Sequence, residues 1–380
     1  MSAAETERLA RVVLSRISEP GHPAMNHSVA DLGGTAVLAR LRTPPGRGEA
    51  ADLAEDLRER LDAVDPARDL EQAAGRGLRF VVPGDDEWPA GLDHLARAPH
   101  LHERGGVPVG LWCRGPLRLD EAAEHAVAVV GSRSATSYGA QVAGEIAATL
   151  AGESWTTVSG AAFGIDLAAH RGALGGSGPT IAVLACGADR AYPQANRGLI
   201  DYVAQVGLVV SEAAPGGAPT RIRFLARNRL IAALSRGTVV VEAAVRSGAL
   251  NTASWADGLG RVVMGVPGPV TSAPSAGVHQ LIRARNGLLV TSGHDVLEAV
   301  GPMGSFALAE PRAPEGPRDR LSATQRQVLD AVPKTMPAAA TSIAVAAGLA
   351  RSRTEEALRV LLRLDLVEHA LGQWRLAPPD

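Results

Sequence analysis

Arginines crowd one short stretch, RIRFLARNRLIAAL (221–234), where Arg221, Arg223, Arg227 and Arg229 precede the almost wholly apolar run from Leu230 to Leu234. A guanidinium is always charged, and its rigid fork of donors suits carboxylate and phosphate oxygens. A second set of residues points to the same chemistry. Apolar runs lead into loops of small residues: Gly131-Ser132-Arg133, SGAAFGID (159–166), CGADRAYP (186–193), EAAPGG (212–217), AAVRSG (243–248) and PGPV (267–270). Glycine bares backbone N–H groups and lets a ligand come close, and a helix N-terminus behind such a loop favours an anion. A rim of such loops would make a phosphate-binding face. Arg133, Arg227 and Arg229 are expected to project over it; the competing arrangement locks them into ion pairs with Glu212, Glu242 or Asp166.

Catalytic sets are harder to assemble. The 38 basic residues include one lysine, Lys334, which stands in no G-x-x-x-x-G-K-[ST] motif, so a P-loop nucleotide hydrolase is excluded. VVGSRSATSYG lacks the G-x-G-x-x-G of a dinucleotide site, and Ser159 in VSGAA is not a G-x-S-x-G nucleophile. His170 falls on an apolar helical stretch, DLAAHRGAL, where it reads as a packing residue, and Asp166 reads as the cap of that helix. Glu242 ends a buried strand, from which it could orient arginines or act on a glycosidic bond. Cys113 and Cys186 lack C-x-x-C spacing, so neither zinc nor any other cofactor is expected.

The elements that must position these residues form a pattern along the 380-residue chain. Hydrophobic residues at 46%, charged residues at 21% and a net charge of −2 describe a globular chain with room for a local basic patch. MSAAETERLARVVL does not read as a signal peptide, and no stretch approaches the roughly 18 apolar residues of a membrane span, so a cytoplasmic protein is expected. Residues 1–75 carry helical spacing in ETERLARVVLSRI and GEAADLAEDLRERLDAV, separated by TPPGRG (43–48). Within them DLGGTAVLARL reads as a packed helical pair or a DNA-binding helix–turn element. Residues 78–300 alternate short β-branched runs (126–130, 156–160, 180–185, 207–212, 238–243, 262–267, 287–292) with helical stretches. Continuous apolar strands between helices predict a doubly wound, mostly parallel, Rossmann-like α/β domain. A Pro/Gly-rich linker (301–320) leads to residues 321–380, where three helical patterns and the strand ALGQWRLA give a winged-helix-like outline. Such a tail could serve duplex DNA or a protein partner.

At this point the residues resemble a known family. VAVVGSRSATSYG, SGAAFGIDLAAHRGAL, TIAVLACGADRAYP, GLVVSEAAPG, FLARNRLIAALSRGTVVVEAAVRSGALNTA and VPGPVTSAPSAGVHQLI follow in the order and spacing of the DNA-processing protein A family (DprA, also called Smf). The resemblance covers roughly residues 78–300. It implies a non-enzymatic protein that binds single-stranded DNA, protects incoming strands in natural transformation, loads RecA recombinase onto them, and forms homodimers through the Rossmann-type domain. By position, Gly131, Ser132 and Arg133 match the family's G-S-R turn. Ser159, Gly160, Gly164, Ile165 and Asp166 match its S-G-x-x-x-G-I-D loop, Phe224, Arg227, Asn228 and Arg229 its F-x-x-R-N-R element, and Ser247 and Gly248 its S-G turn. The resemblance makes these the DNA-binding residues. Phe163 and Gln194 stand where basic residues are frequent, and Asn286-Gly287 replaces a common Gly-Ala.

Aromatic residues are 3% of the chain, so contacts should fall mainly on phosphates, with little sequence preference and steep salt dependence. Tyr138, Phe163 and Tyr192 could stack, although core packing is the commoner fate of such residues. Two other readings remain. A nucleoside-monophosphate phosphoribohydrolase would place Glu242 and Arg227 at a glycosidic bond, but APGGAPT (214–220) lacks the P-G-G-x-G-T-x-x-E signature. An adaptor for a recombinase would dock through the tail.

Overall fold

Strand β3 (Ala126–Val130) is buried along its whole length, and its alternate side chains supply two different cores. Ala126, Ala128 and Val130 join Leu230, Ile231, Trp255 and Leu281 on one face. Val127 and Val129 join Ile146, Leu150, Ile165 and Leu297 on the other. This is how the continuous apolar run AVAVV is satisfied: a strand covered on both faces has no polar side.

A computed structural model describes residues 2–43, 60–284, 287–306 and 318–378. The chain forms two compact units, residues 1–308 and 309–380. In the first unit, β3, β4 (Thr156–Ser159), β5 (Thr180–Val183), β6 (Leu208–Ser211), β7 (Gly237–Val240), β8 (Val262–Gly265) and β9 (Leu288–Leu289) are mutually parallel. Each lies within one of the seven apolar runs, save that β7 begins one residue before its run, at Gly237. Two strands that carry no such run precede them, β1 (Leu78–Val81) and β2 (Leu111–Arg114), and they extend the sheet antiparallel beyond β6. The order is β1-β2-β6-β5-β4-β3-β7-β8-β9. Successive strands therefore step outward in opposite directions from the β3/β7 pair, which makes that pair the topological switch point of a doubly wound sheet.

Helices α1 (Ala3–Ile17), α2 (Pro23–Leu32), α3 (Gly34–Arg42) and α4 (Pro66–Ala74) belong to the same unit as the sheet, so packing shows no break at residues 75–78. Arg8 reaches Asp85 and the Phe80 carbonyl, and Arg16 reaches Asp69 and the Pro215 carbonyl. Most of GEAADLAEDLRERLDAV and of TPPGRG lies outside the described residues, as do Asn286 and residues 307–317 of the expected linker. DLGGTAVLARL is a packed helical pair. The first N–H groups of α3, which a nucleic-acid phosphate would need, are taken by Glu7: its carboxylate accepts from Gly34 N at 2.6 Å, Thr35 N at 2.9 Å and the Thr35 hydroxyl at 2.8 Å. Burial works against this charge, yet the Thr35 and Gly34 amides, the Thr35 hydroxyl and Arg11 hold the carboxyl at about 2.

The second unit has α13 (Ala323–Ala331), α14 (Ala340–Ala347) and α15 (Arg351–Arg363) around Val328, Leu358, Leu361 and Trp374. Three short antiparallel strands, in the order β10 (Ala338–Ala339), β12 (Gln373–Leu376), β11 (Val367–Ala370), accompany them where the sequence suggested one. In the first unit α5 is Leu119–Glu124, α6 Ser137–Gly152, α7 Ile165–Gly175, α8 Arg197–Val206, α9 Arg221–Ala233, α10 Ala249–Gly258, α11 Ala273–Ala284 and α12 Gly293–Val300.

Glu7→Gln should lower stability at neutral pH by roughly 1–2 kcal/mol, because two amides lose an ionised acceptor. The Glu7 carboxyl is depressed from 4.5 to about 2 in the folded protein, so its contribution is complete above about pH 4.5 and fades as pH falls toward 2. Urea unfolding of parent and variant should show a gap at pH 7 that closes in acid; a gap independent of pH contradicts the assignment.

Candidate functional site

Three loops at the carboxyl ends of the strands are laced together at the switch point. Ser132 N donates to the Glu242 carbonyl at 2.7 Å, joining the turn after β3 to the turn after β7. Ile165 N donates to the Ser132 carbonyl at 3.1 Å, joining the loop after β4. This contact requires glycine at 164: its φ is +76°, and a Cβ there would stand 2.2 Å from the Ser132 oxygen. Ala161, at φ +53°, is a non-glycine residue in the left-handed region, held by Asn196, whose amide donates to its carbonyl.

The expected site residues separate into two layers. Gly131, Ser132, Arg133, Gly164, Ser247 and Gly248 reach the surface. Ser159, Gly160, Asp166, Arg227, Asn228 and Arg229 are buried beneath it, contrary to the expectation that they face outward. Arg227 and Arg229 lie in the second and third turns of α9 rather than at its mouth, which carries them under the rim. The Ser159 hydroxyl donates to the Val129 carbonyl, and the Asn228 amide to Asn251 and the Gly248 carbonyl. Arg229, with no exposed surface, makes a two-pronged pair with Glu212, Nη1 and Nη2 each 2.7 Å from a carboxylate oxygen. The competing ion-pair arrangement thus holds for Arg229. Among the described residues Glu242 pairs with no arginine. It accepts from the amide and hydroxyl of Thr136, the residue that caps α6.

Arg227 is a different case. Its Nη1 donates to the Val183 carbonyl at 2.8 Å, its Nε has no partner among the described residues, and its guanidinium would collide with any side chain at 160. Burial pushes this guanidinium down from its usual range, with Asp166 opposing the shift and Arg133 adding to it. Burial likewise raises the Asp166 carboxyl, against Arg227 and the surrounding donors. Asp166 sits inside the first turn of α7 and accepts from Ala162 N, while Gly164 takes the cap position expected of it. His170 is a buried packing residue as expected, Nδ1 2.8 Å from the Thr180 hydroxyl and pushed by burial to about 4.

What remains exposed differs from the sequence expectation in two ways. Arg133 stays at the surface, 4.7 Å from the centroid of the Phe224 ring, a cation–π distance. Arg246, and Arg221, which belongs to the arginine cluster but was not among the expected DNA-binding residues, are exposed and make no ion pair among the described residues. Arg246 lies inside AAVRSG, and its position between a β7 turn and a helix start was the available signal. Tyr138, Phe163 and Tyr192 are not core residues: each is close to 45% exposed, and Tyr192 packs 5.7 Å from Phe224. The rim therefore carries three unpaired guanidiniums and an aromatic edge over a floor of buried donors.

Such a surface defines a doubly wound α/β protein with an open, cationic and partly aromatic rim. Its sequence matches the model of the family described as DNA recombination-mediator protein A over residues 79–301. The chain belongs to that family. It is 44% identical over 366 residues to a "Putative DNA processing protein DprA" of Mycobacterium tuberculosis, covering 96% of this chain and 92% of that protein. The X-ray structure of DNA processing protein A from Streptococcus pneumoniae aligns with TM-score 0.62 and 32% identity, over 78% of this chain and 98% of that one. A Helicobacter pylori DNA processing protein A, whose structure is described in terms of its single-stranded DNA binding mode, aligns with TM-score 0.50 and 27% identity, over 59% and 96%. No helix among the described residues is long and apolar enough to cross a membrane.

Arg229→Ala should destabilise the protein by about 3–5 kcal/mol, since it strands the Glu212 carboxylate in a buried site. Arg246→Ala should change stability by no more than about 0.5 kcal/mol. Urea titration distinguishes them; equal effects would refute the two-layer arrangement.

Proposed function

We propose that this protein binds single-stranded DNA along the rim formed by the loops after β3, β4 and β7, without chemistry on the strand. The observation that carries this reading is the separation of charges: Arg133, Arg221 and Arg246 are exposed with no ion pair among the described residues, while Arg227 and Arg229 are consumed inside and Arg223 is tied to Glu19. The surface residues Gly131, Ser132, Gly164, Ser247 and Gly248 would bring backbone groups to the phosphates, and the buried Ser159, Gly160, Asp166, Arg227, Asn228 and Arg229 would hold the loops in place. Phe163, Tyr192 and Phe224 offer ring faces for bases. The phosphoribohydrolase reading is disfavoured because Glu242 is 2% exposed and engaged by Thr136, and Arg227 is bonded to a strand carbonyl.

By family analogy the protein protects incoming strands in transformation, loads a RecA-type recombinase and works in the cytoplasm. Arg133→Ala/Arg246→Ala should weaken binding of an oligothymidine at low salt by about tenfold or more, with the loss shrinking as salt rises, read by fluorescence anisotropy. RecA filament formation on single strands, read in parallel, should fall with it. Unchanged affinity in the double variant removes the rim from consideration.

Self-association through the same unit is also proposed. β9 is the outer strand of the sheet, and Leu288 and Leu289 are 49% and 56% exposed, so an apolar sheet edge is open to a second copy. Leu288→Asp/Leu289→Asp should convert dimer to monomer in sedimentation velocity; an unaltered sedimentation coefficient places the contact elsewhere.

A further inference from the structure

We propose that the bound strand continues past the rim into a second track, a cationic trough that runs down the side of α8, away from the switch point and toward α4 and β2. The proposal rests on the rim reading and extends it.

Two hollows of about 400 and 420 Å³ lie in succession here. The first opens beside the rim aromatic Tyr192 and is lined by Arg190, Gln194 and Arg197. The second is lined by Arg76, Arg114, Asp201 and Gln205. Asp189 and Arg197 wall both, so the hollows share a boundary and form one trough. From Arg197 to Gln205 the wall is a single helix, and eight residues at 1.5 Å each extend the rim by about 12 Å.

The charge favours a polyanion. Four arginines face two aspartates along the trough. Asp201 is shared between Arg114 at 3.2 Å and Arg197 at 3.5 Å, so one carboxylate answers two guanidiniums. Asp189 is tied down by Arg76 at 3.1 Å and by the Gly216 amide at 2.8 Å. These are single-pronged pairs, and two of the three arginines are largely exposed: the Arg76 and Arg197 side chains are 59% and 66% exposed, against 30% for Arg114. Pairs of that kind contribute little and are readily exchanged for another anion. The contrast with Arg229, sealed in a two-pronged pair, separates arginines that build the fold from arginines that are available. Arg190, the fourth of these arginines, stands at the trough's mouth, its Nη1 resting on the Gly216 carbonyl. Gln194 lines the same hollow between Arg190 and Arg197 and adds an amide donor to their charge.

The occupant this fits is the sugar–phosphate backbone of the same strand that lies on the rim. Aromatic rings are absent from the second hollow's lining, so contacts there would go to phosphates and not to bases.

The test compares oligothymidines of about 6 and about 20 nucleotides, lengths that span the usual footprint of one binding fold. Full-length parent, Arg76→Gln/Arg197→Gln, Asp201→Asn and Arg133→Ala are titrated at several salt concentrations. The arginine double variant should bind the short oligomer as the parent does and the long one about tenfold more weakly. Its salt slope on the long oligomer should fall by about 1.4, two phosphates at roughly 0.7 each. Asp201→Asn should tighten the long oligomer alone. Parental affinity for both lengths, or an equal loss on both, overturns the trough. Arg133→Ala should weaken both lengths; if it weakens neither while the trough variants act on the long one, the rim assignment fails and the trough stands.

Discussion

The buried pair of Arg229 and Glu212 joins parts of the first unit that are far apart in sequence. Glu212 ends the β6 run, and Arg229 lies midway along α9. The same guanidinium donates through Nε to the Gly106 carbonyl at 3.1 Å, and the same carboxylate accepts from Gly21 N at 3.2 Å. Four segments, the helical head, the loop before β2, the end of β6 and helix α9, thus converge on two charges shielded from water. Charges in such a place are tolerated only when paired and fully bonded, and here the lattice of partners is nearly complete. With α9 fixed at its centre, its first turns are held along the loops, and Arg133 finds the Phe224 face against which to lie.

Much of the sheet was legible because a strand buried on both faces has no choice of side chain. Seven apolar runs became seven parallel strands, of which β9 at the sheet edge is the exception in being exposed. β1 and β2 were not legible as strands: each is four residues long, LRFV and LWCR, and each contains an arginine whose charge is answered only by tertiary partners, Arg79 by Glu87 and Arg114 by Asp201. The head was expected to stand apart from the sheet on composition, but Arg8 and Arg16 tie it to the β1 region and to the loop after β6. No local pattern announces contacts of that range.

The candidate site was legible as motifs and not as surfaces. G-S-R, S-G-x-x-x-G-I-D and F-x-x-R-N-R mark where loops interlock, and the structure explains their residue types: glycine at 164 because of the Ser132 carbonyl, glycine at 160 because of the Arg227 guanidinium. Charge alone could not tell which arginines would be spent inside. Depth along the helix decides it: Arg221 opens α9 at the surface, while every residue from Ala226 to Ala233 is buried on all sides. Exposed aromatics were misjudged for a related reason. Hydrophobicity suggested burial for Tyr138, Phe163 and Tyr192, yet all three belong to loops or helix starts on the rim, where the core is out of reach.

The carboxylate of Glu242 has one further consequence. In a doubly wound sheet the crevice at the switch point is where a small phosphorylated molecule customarily settles, against the amides that open the following helix. Here that socket is stoppered from within: Glu242 holds the Thr136 amide and hydroxyl, and the Thr136 oxygen in turn receives the Gly139 amide. An incoming phosphate would meet a negative charge at the bottom of the crevice. What the architecture leaves open is a ledge above the plug, a shape with no end stop, suited to a guest that passes through sideways and has no terminus to be seated.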